Sequence, residues 1–251
     1  MTGDHEVRPA LAWSIFWLPL LLISSSVVLG SGSAQLFSRL TAENGPIETA
    51  TFLAWAMAAI LSARVARQLG HAREARLAGL YWVFAVGLAF LAMEEISWGQ
   101  SIFSWQTPSS LSQHNYQHET NVHNIRSLLK FIQLSMLLVG IYGMVAWWAL
   151  PRRSDWRWEL LVPPWPLMTG FLVLTVYAAC TTTIVIGSDR RLLGLVLAPR
   201  VSLFALKHSE MVELIVSLTG LSFIWLGGRL TGRYLGPTSV GPTDRGGGDR
   251  R

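Results

Sequence analysis

Residues 77–100 read LAGLYWVFAVGLAFLAMEEISWGQ, an uncharged apolar run that ends in two adjacent carboxylates, Glu94 and Glu95. A helix needs roughly 20 mostly apolar residues to cross the ~30 Å hydrocarbon layer of a membrane. At 1.5 Å per residue, the uncharged stretch 78–93 forms a helix of only about 24 Å. The crossing is complete only if Glu94 and Glu95 enter the membrane boundary. The stretch therefore predicts a membrane-spanning helix with a polar end.

The rest of the 251-residue chain has the same apolar character. Its residues are 51% hydrophobic and only 14% charged, whereas soluble domains carry about 25% charged residues. Apolar segments that are long enough, or nearly long enough, to span a membrane occupy residues 11–29, 47–63, 78–99, 131–150, 165–187 and 210–227. This pattern predicts an all-α fold, a polytopic transmembrane bundle of about six helices.

The bundle accounts for most of the chain. We expect a short cytoplasmic N-terminus at residues 1–10, a bundle at residues 11–230 with an outer loop at 100–127, and a cytoplasmic tail at 231–251. The tail is rich in Gly and Pro, which is typical of disorder. The first apolar segment could be a cleaved signal peptide, but its length and bulky side chains favour a retained helix. Cys180 is the single cysteine, so an internal disulfide is excluded.

The arginines indicate how the bundle is oriented. Short loops that are rich in Lys and Arg stay in the cytoplasm. The links after the second and fourth apolar segments, the tail and Arg8 together hold most of the 20 basic residues. Six spans then place both termini inside and loops one, three and five outside. Because this topology explains the net charge of +5, we expect a lipid bilayer around the protein and no nucleic-acid partner.

Polar and charged residues gather on the predicted outer side. They occupy the start of the second span, the end of the third, the outer loop and the start of the sixth. The candidate site residues are Glu43, Glu48, Glu94, Glu95, Gln100, His114, His118, Glu119, Asn121, His123, Asn124, His208, Glu210 and Glu213. This convergence is the main functional signal in the sequence, since the predicted cytoplasmic loops carry mostly arginine.

The histidines suggest a metal site. His114 and His118 have the spacing of two ligands on one helical face, although the Glu of the H-E-x-x-H zinc motif is missing. His118, His123 and His208 are the candidate ligands of a divalent metal such as zinc, with nearby carboxylates completing the coordination. Two alternatives stay open. The histidines and asparagines could instead form a hydrogen-bonded cap over the helix ends, or they could handle protons or ions.

The carboxylates support several functions. Glu94 or Glu95 is the candidate catalytic base or metal ligand of a hydrolase or transferase that acts on a lipid or a membrane-embedded peptide. Intramembrane acids also mark proton or cation paths, so an ion-coupled transporter is an alternative, as is a non-catalytic assembly or scaffold protein. Adjacent residues on a helix diverge by about 100°, so Glu94 and Glu95 cannot both point equally into one site.

Three segments carry a resemblance to a known family: AENGPIE, EEISWGQ and HN-x-Q-x-ETN-x-HN, followed by a final acidic helix. Over about residues 42–226 the chain resembles a bacterial family of polytopic inner-membrane proteins of uncharacterised activity, which implies a location and no reaction. Glu94-Glu95 is similar to the E-E-x-x-x-R motif of CPBP-type glutamic intramembrane proteases, but Gly99 occupies the Arg position. The scattered Glu and His resemble ceramidase-like membrane hydrolases, whose late H-x-x-x-H is absent here.

Overall fold

The computed structural model describes residues 8–114, 120–122, 125, 128–150, 155–185 and 208–236. Every secondary-structure element in this part of the chain is a helix. In chain order the α-helices are α1 (Pro9–Gly32), α2 (Ala34–Leu40), α3 (Pro46–His71), α4 (Ala75–Glu95), α5 (Gln100–Phe103), α6 (Ser109–Ser112), α7 (Leu129–Ala149), α8 (Trp156–Glu159), α9 (Met168–Val185) and α10 (Ser209–Leu235).

Five of these helices, α1, α3, α4, α7 and α10, are long and apolar enough to cross a membrane. They confirm the predicted all-α membrane bundle. The fifth predicted span, residues 165–187, forms a 3-10 turn (Trp165–Leu167) and then α9, a shorter apolar helix in the described part of the chain. Large apolar side chains such as Val83, Val86 and Trp148 are more than 60% exposed. Such a surface suits a multi-pass protein surrounded by lipid.

The bundle is built around a hairpin of α3 and α4. Ser62 of α3 donates a hydrogen bond to the carbonyl oxygen of Tyr81 on α4 (2.7 Å), which ties the two helices together. The last helix, α10, packs along α3, with Ile47 against Met211 near the start of both. α7 pairs with α9, and α1 lies against α9 and α10. The starts of α3 and α10 therefore meet the end of α4, at what we call the polar end of the bundle.

Glycines allow the helices to approach closely. A Cβ atom on Gly227 of α10 would lie 2.6 Å from the Tyr81 hydroxyl oxygen of α4, so a side chain is excluded there. Gly143 of α7 meets the ring of Phe171 on α9 in the same way. Small residues are common at membrane helix interfaces because lipid gives apolar helices no hydrophobic reason to associate, and close packing takes over that role.

The last helix ends five residues beyond residue 230, the predicted end of the bundle. α10 continues to Leu235, so residues 231–235 of the expected tail are helical. The physical reason is tertiary: Tyr234 stacks on Trp156 of α8 with ring centroids 5.4 Å apart, and Leu235 packs against the core. The rest of the predicted tail, residues 237–251, lies outside the described residues, as do residues 1–7.

Candidate functional site

The chain makes a sharp turn at the polar end where α4 finishes. Ser97, Trp98 and Gly99 have φ angles of 44°, 57° and 83°, and Ser104 after α5 has a φ of 54°. Positive φ is unfavourable for residues with a side chain, and it clusters at functional sites where the surrounding structure enforces it. This turn folds the following residues back over the end of α4.

Glu94 holds the folded-back chain in place. Its side chain is buried, with 2% exposure. One carboxylate oxygen accepts a hydrogen bond from the Trp98 indole N–H (2.6 Å), and the other accepts one from the backbone N–H of Val122 (2.6 Å). Hydrogen bonds to an ionised acceptor are about twice as strong as neutral ones. Glu94 therefore fastens both the turn and the outer loop to the helix end.

Two further polar residues from the predicted site serve the same loop. The side-chain oxygen of Gln100 accepts from the backbone N–H of Thr120 (2.8 Å) and from the Thr107 hydroxyl (3.1 Å). Asn121, which is 1% exposed, places its amide nitrogen 3.4 Å from the Ser97 hydroxyl oxygen. These contacts tie the described part of the outer loop to the turn at the end of α4.

Glu95 points in another direction. It is partly buried and lies towards α3 and α10, close enough to Trp55 of α3 for the indole to act on its carboxyl. The charges of Glu210 and Glu48 act on it most strongly, and that of Glu94 acts more weakly. The two adjacent carboxylates thus diverge, as expected for neighbours on one helix. The charges of acids on two other helices act on Glu95, whereas Glu94 accepts a hydrogen bond from the loop.

The other acids surround Glu95 unevenly. Glu210 and Glu213, one turn apart on α10, both lie close enough to Tyr177 of α9 for their charges to act on its hydroxyl. One oxygen of Glu48 accepts from the backbone N–H of Asn44 (2.5 Å) and so stabilises the turn before α3. Glu43 lies in that turn and is exposed. The structure therefore places Glu48, Glu95 and Glu210 at the same end of the bundle, within range of one another's charges, and leaves Glu43 at the surface.

The histidines are separated. His208 is 2% exposed, and its Nδ1 lies 2.6 Å from the hydroxyl of Ser26 on α1, with the Phe37 ring edge-on at 5.2 Å. His114 is exposed, and its Nδ1 lies 2.8 Å from the carbonyl oxygen of Ser110. Among the described residues, no three His, Cys, Asp or Glu side chains form a group that could hold a metal ion. His118, Glu119, His123 and Asn124 lie outside the described residues.

Several residues of this site were not predicted from the sequence. Trp98 lies near a helix end, where a tryptophan usually anchors a protein at the membrane surface, yet its indole N–H donates to Glu94. Ser26 and Tyr177 lie in apolar helices, and no pattern in the sequence around them indicates a role at the polar end. Trp55 does carry a signal: it lies in the middle of an apolar span, where an interface anchor has no use. A buried indole N–H at that depth needs an acceptor, and Glu95 lies near enough for the indole to act on its carboxyl.

Comparisons of the chain with protein-family models, with curated proteins and with solved structures give no match. The geometry of the polar end is therefore the basis for a functional assignment.

Proposed function

We propose that the protein is a membrane-embedded hydrolase or transferase with Glu95 as its general acid–base group. The observation that carries the proposal is that Glu95, at the end of α4, lies within reach of the charges of Glu210 on α10 and Glu48 on α3. Carboxyl groups that share a site cannot all ionise independently, and one can hold a proton while another accepts one. A proton held between positioned carboxyl groups is what general acid–base catalysis requires.

The proposed substrate is a lipid or a membrane-embedded peptide. In support of this class, the site lies where three apolar membrane helices end or begin, so a substrate that enters from the bilayer meets Glu95 at the boundary. Glu94 takes a positioning role in the proposal because each of its oxygens already accepts a hydrogen bond from the turn or the loop. It would hold the outer loop over Glu95 and limit the access of water.

The proposal is tested with purified protein in lipid nanodiscs. Wild type and Glu95→Gln are incubated with a bacterial polar-lipid extract or a membrane-peptide library, and products are detected by mass spectrometry. General acid–base catalysis contributes about 100- to 10,000-fold, so Glu95→Gln should lower turnover by at least about 100-fold. Glu159→Gln, an acid on α8, serves as the matched control. Wild-type turnover in Glu95→Gln would overturn the assignment.

A proton- or cation-coupled transporter is the second candidate, and it is favoured by the same interacting carboxylates, Glu48, Glu95 and Glu210. A path towards the other end of the bundle has less support. Buried hydroxyls there donate to backbone carbonyls, Ser62 to Tyr81 and Thr231 to Gly227, and the sequences of α7 and α9 contain no acid. Proteoliposome flux that is unchanged by Glu95→Gln and Glu213→Gln would remove this candidate.

A metal-assisted form of the enzyme remains a prediction. It requires His118 and His123, outside the described residues, to join His208 around a divalent ion such as zinc. Elemental analysis of purified wild type and His118→Ala tests it directly. A wild-type protein without stoichiometric metal would reject the metal form and leave the glutamate-based form standing.

The orientation belongs to the proposal too: a bacterial inner membrane with both termini in the cytoplasm and the polar end outside. Arg73, Arg157 and Arg229, near the opposite end of the bundle, support it through the positive-inside rule. Single cysteines are introduced at Ser109 and at Ala72 in a Cys180→Ala background. A membrane-impermeant maleimide added to intact cells should label position 109 alone, and labelling of position 72 alone would reverse the orientation.

A further inference from the structure

An apolar groove runs between α1 and α10, away from the carboxylates of the polar end. The residues that line it include Ile15, Leu18 and Leu22 of α1 and Ile215, Leu218 and Ser222 of α10. The groove is open on one side, where Leu18 is 43% exposed. Because α1 and α10 are both long and apolar enough to cross a membrane, this open side faces the hydrocarbon chains of lipids.

Two arginines lie at one level, at the end of the groove opposite to the polar end. Leu22 of α1 and Ile215 of α10 lie together near the other end of the groove. The two helices are antiparallel, since α1 ends and α10 begins at the polar end. Arg8 lies 14 residues before Leu22, and Arg229 lies 14 residues after Ile215. At 1.5 Å per residue, both arginines therefore lie about 21 Å from that contact.

Both arginines also lie on the groove side of their helices. Residues seven apart share a helix face, because seven residues make almost two turns. Arg8, at the start of α1, precedes Ile15 by seven residues, and Ile15 precedes Leu22 by seven. On α10, Arg229 follows Ser222 by seven. The row of side chains that lines the groove therefore continues to an arginine on each helix.

The surroundings of these arginines suit a lipid headgroup. Both side chains are exposed, and within the part of the chain that the structure describes neither has a carboxylate partner. The Arg229 guanidinium lies 4.9 Å from the centre of the Trp225 ring, an attraction that keeps it beside the groove. Tryptophans are enriched at the headgroup level of a membrane, and Trp13 lies five residues after Arg8. Positive charge thus lies at the level of lipid phosphates, next to an apolar groove.

We propose that the groove binds one phospholipid with an anionic headgroup, such as phosphatidylglycerol. Arg8 and Arg229 bind the phosphate, and one acyl chain lies along the groove. A single leaflet is about 15 Å thick, half of the ~30 Å hydrocarbon layer, and Ile15 and Leu18 lie about 10 and 15 Å from Arg8. A chain whose phosphate is at the arginines therefore reaches the groove and joins α1 to α10. The site is separate from Glu95 and does not depend on the reaction proposed there.

Native mass spectrometry of the full-length protein in detergent tests this proposal. Phosphatidylglycerol and phosphatidylcholine with the same acyl chains are titrated, and the affinity of each is measured. A basic residue near an anionic lipid surface strengthens binding by about fivefold, so Arg8→Gln/Arg229→Gln should weaken phosphatidylglycerol binding by about 25-fold. Arg64→Gln/Arg76→Gln is the matched control. It removes two exposed arginines of α3 and α4 at the same end of the bundle and should bind like wild type.

Ser222→Leu fills the groove from α10 and leaves both arginines in place. It should weaken the binding of both lipids, and it tests the proposal even if the double arginine variant does not fold. Equal affinity of wild type for the two lipids, or wild-type phosphatidylglycerol binding in either folded variant, would overturn the proposal. Glycerol phosphate that competes as well as the whole lipid would exclude an acyl chain in the groove. A wild-type dimer that Ser222→Leu dissociates would also overturn the proposal, by assigning the groove to a second copy of the chain.

Discussion

Replacing Glu94 with Gln should release the outer loop from the end of α4. Glu94 accepts one hydrogen bond from Trp98 and one from the backbone N–H of Val122, both at 2.6 Å, in a buried site. A glutamine side chain has one oxygen and one NH2 group. Whichever way it turns, one buried donor meets another donor, and the remaining bond has a neutral acceptor.

The magnitude follows from these two changes. A hydrogen bond to a charged group contributes about 1.5–3 kcal/mol, and a buried donor without an acceptor costs about 1–3 kcal/mol. Because the loop opens locally, the loss should fall on the opening free energy of residues 120–122 rather than on global unfolding. At about 1.4 kcal/mol for each factor of ten, amide exchange at Val122 should accelerate by about tenfold to a hundredfold.

Hydrogen–deuterium exchange with mass spectrometry in nanodiscs measures the exchange rate at Val122, using overlapping peptides across the loop. Glu95→Gln is the matched control because its carboxylate faces α3 and α10, and its loop exchange should equal that of wild type. A Glu94→Gln protein with loop exchange within about twofold of wild type would refute the positioning role. Glu94 would then return to the position of a candidate catalytic residue.

Two further predictions concern the opposite end of the bundle. The Arg157 guanidinium donates to Glu74 and holds the pKa of that carboxyl below its ordinary value of 4.5. Because the pKa of Glu74 is lowered in the folded state, its contact with Arg157 contributes fully to stability above the ordinary pKa, and this contribution is lost as the pH falls through the lowered pKa. The difference in thermal stability between wild type and Glu74→Gln should therefore vanish on acidification. A difference that persists in acid would contradict this prediction. Gly227→Ala would bring a Cβ atom within 2.6 Å of the Tyr81 hydroxyl oxygen and should destabilise the fold by about 1–3 kcal/mol, as measured by unfolding in detergent. The control is Gly232→Ala on the same helix, where a Cβ atom would have no neighbour within 4 Å. Equal stability of the two variants would show that Tyr81 moves aside without cost.

The membrane helices were predictable because lipid imposes a local rule. A segment that crosses the bilayer must be apolar over most of its length and must satisfy its own backbone hydrogen bonds, so composition alone located five long helices to within a few residues at most ends. The place of Glu94 and Glu95 at a helix end follows from the same arithmetic. The end of α10 was less predictable, because Tyr234 extends the helix by stacking on a residue almost eighty positions earlier.

The sequence by itself determined that acids at the starts of α3 and α10 and at the end of α4 lie at one end of an all-α membrane bundle, since that depends only on helix length and order. Only the tertiary structure decided which of them meet. Adjacent carboxylates look alike in sequence, but the rotation of α4 turns Glu95 towards α3 and α10 and turns Glu94 towards the backbone of the loop. Such contacts depend on helix packing and on the strained turn at Ser97–Gly99, which no local pattern of residues specifies.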